Sequence, residues 1–270
     1  YYTYTPGGSW ELTAIPESQK VRTNSQQVNQ ITGAIVTGSD LNLSPLFSSN
    51  GLVGYWKFDE GQGTSTQDSS GNGNTGTWNG TLGSQWATGE VGGAGQFNGS
   101  NDWVNAGNGA DLNPTSAMTI STWVKFTNLN RETIASKWGA SGNSDYSWLL
   151  FANMWSSGEV NFLTSSDGTG YTNARSSAGA VATGVWYYIA GVYSGANTTA
   201  TLYINGAFAG SSTAPSSLKV STTSLSIGAD HDNGVGEPAY RLFNGLIDDV
   251  RIYNRALSAA EIMSLYNATK

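Results

Sequence analysis

The sequence predicts an all-β protein, an antiparallel two-sheet sandwich, and three observations predict it. Short apolar or alternating runs recur along most of the chain, separated by Gly-, Asn- and Ser-rich turns too short to hold crossover helices. The composition favours strands and turns over charge: of 270 residues only 11% are charged, whereas 35 are glycine and 10 are tryptophan. LVGYWKFDEGQG (52–63) and GLIDDVRIYNRALSAAEIMSLYN (245–267), far apart in sequence, both alternate and then become acidic or glycine-rich. They read as the two edges of one domain, with strands lying side by side and ending at a shared polar rim.

Composition also excludes several classes of function. A net charge of −7 without clustered Lys and Arg argues against a nucleic acid partner. No apolar run approaches the roughly 20 residues that cross a bilayer, so no membrane span is expected in this chain. There is no cysteine, which leaves a metal ion as the more attractive staple. The chain starts without Met or a signal peptide and reads as a processed or truncated piece. Its Gly, Asn, Ser and Thr richness, with ample aromatics, is that of a secreted or cell-surface protein, of bacterial envelope type.

Residues 1–17 alternate Tyr2, Tyr4, Trp10, Leu12 and Ala14 around Pro6-Gly7-Gly8 and predict a hairpin. A lone hairpin is marginal in water, so it is expected to complete a sheet elsewhere. From Ser18 to Asn50 the chain is polar, with Val28, Ile31, Ile35 and Val36 able to support one strand. The expected organisation is an appendage over 1–50 and a domain over 51–270. Within the domain, MTISTWVKF (118–126) places Met118, Ile120, Val124 and Phe126 on one face, interrupted by Thr122, and Trp123 on the other. VWYYIAGVY (185–193) and TATLYI (199–204) bracket a polar turn; Asn205-Gly206 then signals a type I′ turn, and SLSIGA (224–229) gives a further short strand. The helix comes last: Ser258 and Glu261 form a capping box, and Ile262, Leu265 and Tyr266 recur at helical spacing.

GYWKFDEGQGTSTQDSSGNGNTGTWNG, WATGEVGGAGQFNGSNDWVNAG, MTISTWVKF, GVWYYIAGVYSG, TLYINGAFAG and FNGLIDDVRIYNRALSAAEIMSLYN together make the span Leu52 to Asn267 resemble the laminin G-like, concanavalin A-type jelly rolls of surface and carbohydrate-active proteins. The family pattern Asp-Glu-Val-Arg is here Asp248-Asp249-Val250-Arg251, and Phe-Asp-Gly is Phe97-Asn98-Gly99, which loses a carboxylate. Residues 1–17 resemble the closing strands of a type IV pilin or pseudopilin head. That likeness implies a jelly roll displayed on a filament subunit, with other pilin-like subunits as partners.

The first candidate site is ionic. Asp59, Glu60, Asp248 and Asp249 fall at the shared rim, where gathered carboxylates repel unless a hard cation lies among them. DSSGNGNTG (68–76) adds side-chain oxygens at Asp68, Ser70, Asn72 and Asn74. The resemblance implies that this loop and the last strand share a Ca2+ ion; a metal-free Asx-rich turn is the alternative. Asp248 and Asp249 point to opposite faces of a strand, so only one is a direct ligand of a given ion, and spacing alone does not choose.

The second candidate site is for recognition. Asp230, His231, Asp232 and Asn233 lie in one loop, and rim loops carry recognition more often than strands do. Sugars need an aromatic plate and fixed polar groups. Trp56, Trp86, Trp103, Trp123 and Trp186 fall in the family motifs and read as core. Trp138, Trp148 and Trp155, with Tyr146, Tyr171 and Tyr240, lie outside them and read as the ligand face, accompanied by Asn173 and Arg175. Catalysis is not expected, because Glu132, Glu159 and Glu237 sit singly rather than as a paired-carboxylate strand motif. The expected function is a calcium-stabilised extracellular adhesion module binding a glycan or matrix ligand. A purely structural surface module is the alternative, and a glycoside hydrolase is less favoured.

Overall fold

In the computed structural model, the described residues are 50–139, 145–231 and 241–270, together with four short strands nearer the start. The chain divides into two units, Tyr1–Asn50 and Gly51–Lys270. In the first, β1 (Thr3–Tyr4) pairs antiparallel with β2 (Trp10–Glu11), and β3 (Gln27–Val28) pairs with β4 (Ile35–Val36); the Pro6-Gly7-Gly8 turn lies outside the described residues. The expected single strand around Val28 to Val36 is thus two strands folded on each other.

The second unit is a sandwich of two antiparallel sheets. Sheet I contains β5 (Leu52–Trp56), β8 (Trp86–Thr88), β9 (Gly93–Asn98), β11 (Ala117–Phe126), β16 (Trp186–Ser194), β17 (Thr199–Ile204), β18 (Ala207–Thr213) and β20 (Asn244–Tyr253). Its order is β18-β17-β16-β11-β20-β9-β8, with β5 also paired to β20. Sheet II contains β6 (Ser65–Thr66), β7 (Gly76–Asn79), β10 (Trp103–Asn105), β12 (Glu132–Trp138), β13 (Tyr146–Ala152), β14 (Val160–Thr164), β15 (Thr172–Arg175) and β19 (Ser226–Ile227). Its order is β15-β14-β13-β12-β19-β10-β7-β6. Between the sheets lie Trp56, Phe97, Ile120, Trp148, Phe162, Tyr193 and Val250, all essentially inaccessible to solvent. Burying each such side chain stabilises the fold by roughly 1.5–3 kcal/mol or more.

The two distant segments do lie side by side: Val250 pairs with Trp56 and Arg251 with Tyr55. They do not form the edge of the domain, however. β20 is central, bonded along one side to β11 and along the other to β9 and then β5.

The interruption of the apolar face at Thr122 has a physical cause. Pairing between β11 and β20 slips between Ser121 and Trp123, and opposite it Asp249 adopts φ 57°, the left-handed region that Asp and Asn tolerate better than most side chains. Thr122 Oγ1 donates to the Asp248 carbonyl at 2.9 Å and closes the bulge. Trp123 then faces outward, where it packs with Tyr188, Tyr253, Leu257, Ile262 and Leu265. The last two residues belong to the helix α1 (Ala259–Thr269), started by the expected Ser258–Glu261 capping box. Trp123 Nε1 donates to Thr269 Oγ1 at 2.9 Å, tying the end of α1 to sheet I. The Asn205-Gly206 turn is also as expected, with φ of 51° and 77°.

The main difference from the sequence reading lies between residues 132 and 175. This segment read as a glycine- and serine-rich middle, yet it supplies the adjacent strands β12 to β15, half of sheet II. YSWLLFA (146–152) is buried on both faces, so it is continuously apolar and lacks the alternation of a half-exposed strand.

Candidate functional site

Cross-strand register places Thr133, Phe151, Asn161 and Arg175 in one row across β12 to β15, on the face of sheet II turned away from the core. Ser136, Leu149, Leu163 and Asn173 form the next row. Leu149, Phe151 and Leu163 make a small second cluster with Trp138, and Tyr146 and Met154 pack against it. At the β13–β14 turn and along β15 this face becomes accessible and polar.

Trp155, in that turn, is 53% exposed, and the Arg175 guanidinium lies 5.6 Å from its ring centroid. Arg175 Nε is 4.0 Å from Glu159 Oε2. Glu159 is itself buried; its Oε1 accepts from the Trp155 backbone N–H at 2.6 Å and from Asn161 Nδ2 at 3.3 Å. Asn161 Oδ1 accepts in turn from Asn173 Nδ2 at 2.9 Å. Asn173 Oδ1 ends this chain as a buried acceptor with no partner, a costly arrangement unless a ligand or water donates to it. Tyr171, 46% exposed, sits two residues before Asn173 and contacts Trp138 edge to face at 5.7 Å. An exposed indole, a guanidinium held beside it and amides fixed by one another are what a neutral, hydroxyl-bearing ligand requires.

This face contains part of the expected recognition set and corrects the rest. Arg175 lies over the Trp155 ring, and Asn173 stands in the row next to that of Arg175. Trp138 is only 2% exposed and lies flat against Tyr146 at 4.1 Å, so its ring face is already covered. Trp148 is 1% exposed and points into the core between the sheets. Neither serves as a sugar plate. Asp230 is not a rim group either: it is buried and accepts from Arg241 Nε at 2.8 Å, from Arg241 Nη2 at 3.0 Å and from Thr133 Oγ1. His231 packs on Trp103 at 4.8 Å, with Nε2 at 2.9 Å from Ser226 Oγ. Asp232, Asn233, Glu237 and Tyr240 lie outside the described residues. Of the tryptophans read as core, Trp56 and Trp123 are buried, whereas Trp86, Trp103 and Trp186 are half-buried.

The comparisons with known proteins fit this architecture. The model of the concanavalin A-like lectin/glucanase superfamily matches residues 98–263. The chain belongs to this superfamily. Among solved structures it is similar to domain 4 of the extracellular GH43 arabinanase AbnA from Geobacillus stearothermophilus, solved with arabinotriose: TM-score 0.60 and 24% identity, over 79% of this chain and 97% of that one. It is also similar to the binding domain of Paraclostridial Mosquitocidal Protein 1, with TM-score 0.62 and 16% identity over 81% of this chain. A third is the botulinum neurotoxin serotype D ligand-binding domain solved with N-acetylneuraminic acid, with TM-score 0.54 and 16% identity. The chain spans about half of each toxin domain, 52% and 51%. At these identities the likenesses show the jelly-roll fold. None of the curated proteins compared with the chain matches it in sequence.

Because the superfamily's name covers glucanases as well as lectins, its carboxylates need placing. Among the described residues, no three Asp, Glu or His side chains converge as a metal site. Asp248 Oδ2 accepts from the Val91 backbone N–H at 2.8 Å, and Asp59 Oδ1 from that of Gly93 at 2.7 Å. Burial, and then the charges of Asp249 and Asp59, push the Asp248 acid up to about 8 against the pull of the Val91 N–H. Asp249 turns away to Arg251 Nη1 at 2.7 Å. Glu60 Oε1 accepts from the Gln67 N–H at 2.7 Å. In the Asx-rich turn, Asp68 Oδ1 accepts from Tyr55 and Ser70 N–H groups, each at 2.9 Å, and Oδ2 from that of Asn74 at 2.9 Å. Asn72 and Asn74 direct their amide nitrogens to the Val53 carbonyl. This set does not fit an ion shared by the turn and the last strand: Asp68 serves Tyr55 on β5, while the bulge turns both Asp248 and Asp249 to the outer face of sheet I, against the expected opposite faces, where Asp248 bonds to Val91 and Asp249 pairs with Arg251.

Proposed function

We propose that residues 51–270 form a non-catalytic carbohydrate-binding module acting outside the cell, with Trp155 as the stacking plate, Arg175 and Asn173 as the polar groups that orient the sugar, and buried Asn161 holding Asn173 in place. The observation that carries this reading is the exposed Trp155 ring beside Arg175, with the unpartnered Asn173 Oδ1 on the same rows. The arabinotriose and N-acetylneuraminic acid bound in two similar structures support the ligand class. The non-catalytic part rests on the acids: Glu159 is buried and accepts hydrogen bonds from Trp155 and Asn161, and among the described residues no second carboxylate is bonded into this network. Adhesion, with display on a pilin-like filament subunit, is a finer reading supported by the likeness of residues 1–17.

Trp155→Ala is expected to weaken glycan binding at least about tenfold, which is about 1.4 kcal/mol. Its melting temperature should stay within about 2 °C of the parent, because an exposed ring contributes little to the core. Titration of arabinotriose and sialylated glycans after an array screen checks both. Unchanged affinity in this variant, or an array with no binder, refutes the reading and leaves the structural-module alternative.

A calcium ion at the Asx-rich turn is a second proposal. It is supported by two carboxylates that the turn gathers about Asn74: Asp68 Oδ2 accepts from its backbone N–H at 2.9 Å and Asp111 Oδ2 from its Nδ2 at 2.8 Å. Saturation at about 100 times the dissociation constant adds roughly 2.7 kcal/mol to the folded state. Melting should therefore fall on chelation, and an unchanged melting temperature removes the ion from the account.

A further inference from the structure

At the end of the sandwich where β12 begins, an open cavity of about 380 Å³ is lined by Gly99, Asn128, Asn130, Arg131, Glu132 and Asn244, among others. Its sequence origins are the β11–β12 turn, the start of β20 and the turn after β9. Glu132 opens β12 opposite Ala152, a core residue, and so points toward the space between the sheets. Only 1% of it is exposed, yet neither carboxyl oxygen has a hydrogen-bond partner. A buried, unsatisfied carboxyl costs stability, and a fold that keeps one beside a cavity invites the question of what completes it.

We propose that this cavity is a second ligand site, separate from Trp155, that takes one neutral polyhydroxyl unit of monosaccharide size, with Glu132 as its central hydrogen-bonding group. The volume lies within the range of small-ligand pockets. The lining alternates donors and acceptors: the guanidinium of Arg131, three asparagine amides and one carboxyl. A cation is disfavoured because Arg131 and Arg241 both line the wall. An anion is disfavoured because Arg241 is already bound to Asp230. Burial pushes the Glu132 acid up to about 8, and the nearby Asn244 backbone N–H, which lies outside hydrogen-bonding geometry, opposes this only weakly. At neutral pH it therefore mostly holds its proton and offers both an O–H donor and a carbonyl acceptor, which match a sugar hydroxyl in either direction.

The test is amide-resolved NMR of the 270-residue chain with arabinose, galactose, glucose and myo-inositol as separate probes. At least one probe is expected to shift the side-chain amides of Asn128, Asn130 and Asn244. Glu132→Leu, which fills the same space without polar atoms, should weaken that binding at least about tenfold while leaving melting unchanged or higher. Glu132→Gln, which keeps the shape with a donor and an acceptor, should retain it. If the leucine variant fails to fold, Arg131→Ala at an exposed position carries the test and should weaken the same shifts. Shifts confined to Trp155, Asn161 and Asn173 would overturn this site and leave the carbohydrate reading standing. Equal binding in Glu132→Leu, no shift at the three amides with any probe, or a cavity that holds only water in soaked crystals would also overturn it.

Discussion

Replacing Arg251 by alanine is expected to cost about 3–5 kcal/mol of folding stability, read from urea denaturation, because it strands a buried carboxylate. Arg251 is 4% exposed and Asp249 1%. Their closest approach is 2.7 Å, and Arg251 Nη2 donates to Tyr55 Oη at 2.8 Å while the guanidinium lies 4.4 Å from the Tyr55 ring centroid. Without Arg251, Asp249 faces Tyr55 and Tyr188, whose hydroxyls burial already pushes up in pKa, that of Tyr188 to about 12. No cation remains to stabilise it. A double variant, Arg251→Met with Asp249→Asn, removes both charges and keeps a side chain suited to φ 57° at position 249. It is expected to lose clearly less than the sum of the two single changes. A loss below about 1 kcal/mol in Arg251→Ala, or strict additivity in the cycle, would show that the pair is not the anchor described here.

Asp248→Asn should act in the opposite direction. The Asp248 acid is raised to about 8 in the folded protein from an ordinary 3.8, so between those values the folded state binds more protons than the unfolded state. Stability from this group is therefore fullest at low pH, falls as pH rises from about 4 to about 8, and levels off above that. The full shift corresponds to about 5–6 kcal/mol; the effective dielectric of real protein interiors, well above that of dry protein, brings the realised effect to roughly 2–4 kcal/mol. Asparagine keeps the acceptor for the Val91 N–H and has no charge to bury. The variant should gain those few kcal/mol at pH 8 and almost nothing near pH 4, measured as denaturation midpoints across the range. Glu132 contributes a slope of the same sign, so the single variant flattens the profile only in part. Lower stability at pH 8 would sink the argument.

The sequence revealed those parts of the fold whose chemistry is local. The Asn205-Gly206 turn, the Ser258–Glu261 capping box and the two-faced pattern of residues 118–126 each state their geometry within a few residues. β12 to β15 do not, because both faces of β13 are buried, one by the core and one by the Trp138 cluster, and periodicity disappears when both sides are apolar. The same fact explains the site. Trp138, Trp148 and Trp155 are the same residue type in similar glycine- and serine-rich surroundings, and only tertiary placement distinguishes two buried rings from one exposed plate. Arg175 and Asn173 were legible as its companions from composition. Glu132 was not, because a carboxyl at a strand start ordinarily faces water.

The central place of β20 has a consequence for how the domain comes to exist. Every other strand of both sheets precedes it in the sequence, and β5, β9 and β11 meet only through it. During synthesis the ribosome delivers the hairpins β16–β17–β18 and β12–β13–β14–β15 as local units, while β5, β9 and β11 wait with open hydrogen-bonding edges for a partner not yet translated. Closure then joins segments separated by nearly the whole domain, the kind of long-range pairing that makes folding slow. Until it happens, unpaired strand edges and apolar surface are available to neighbouring chains. The nascent domain is thus most prone to aggregate just before β20 emerges, and the strand that completes the sheet also ends that exposure.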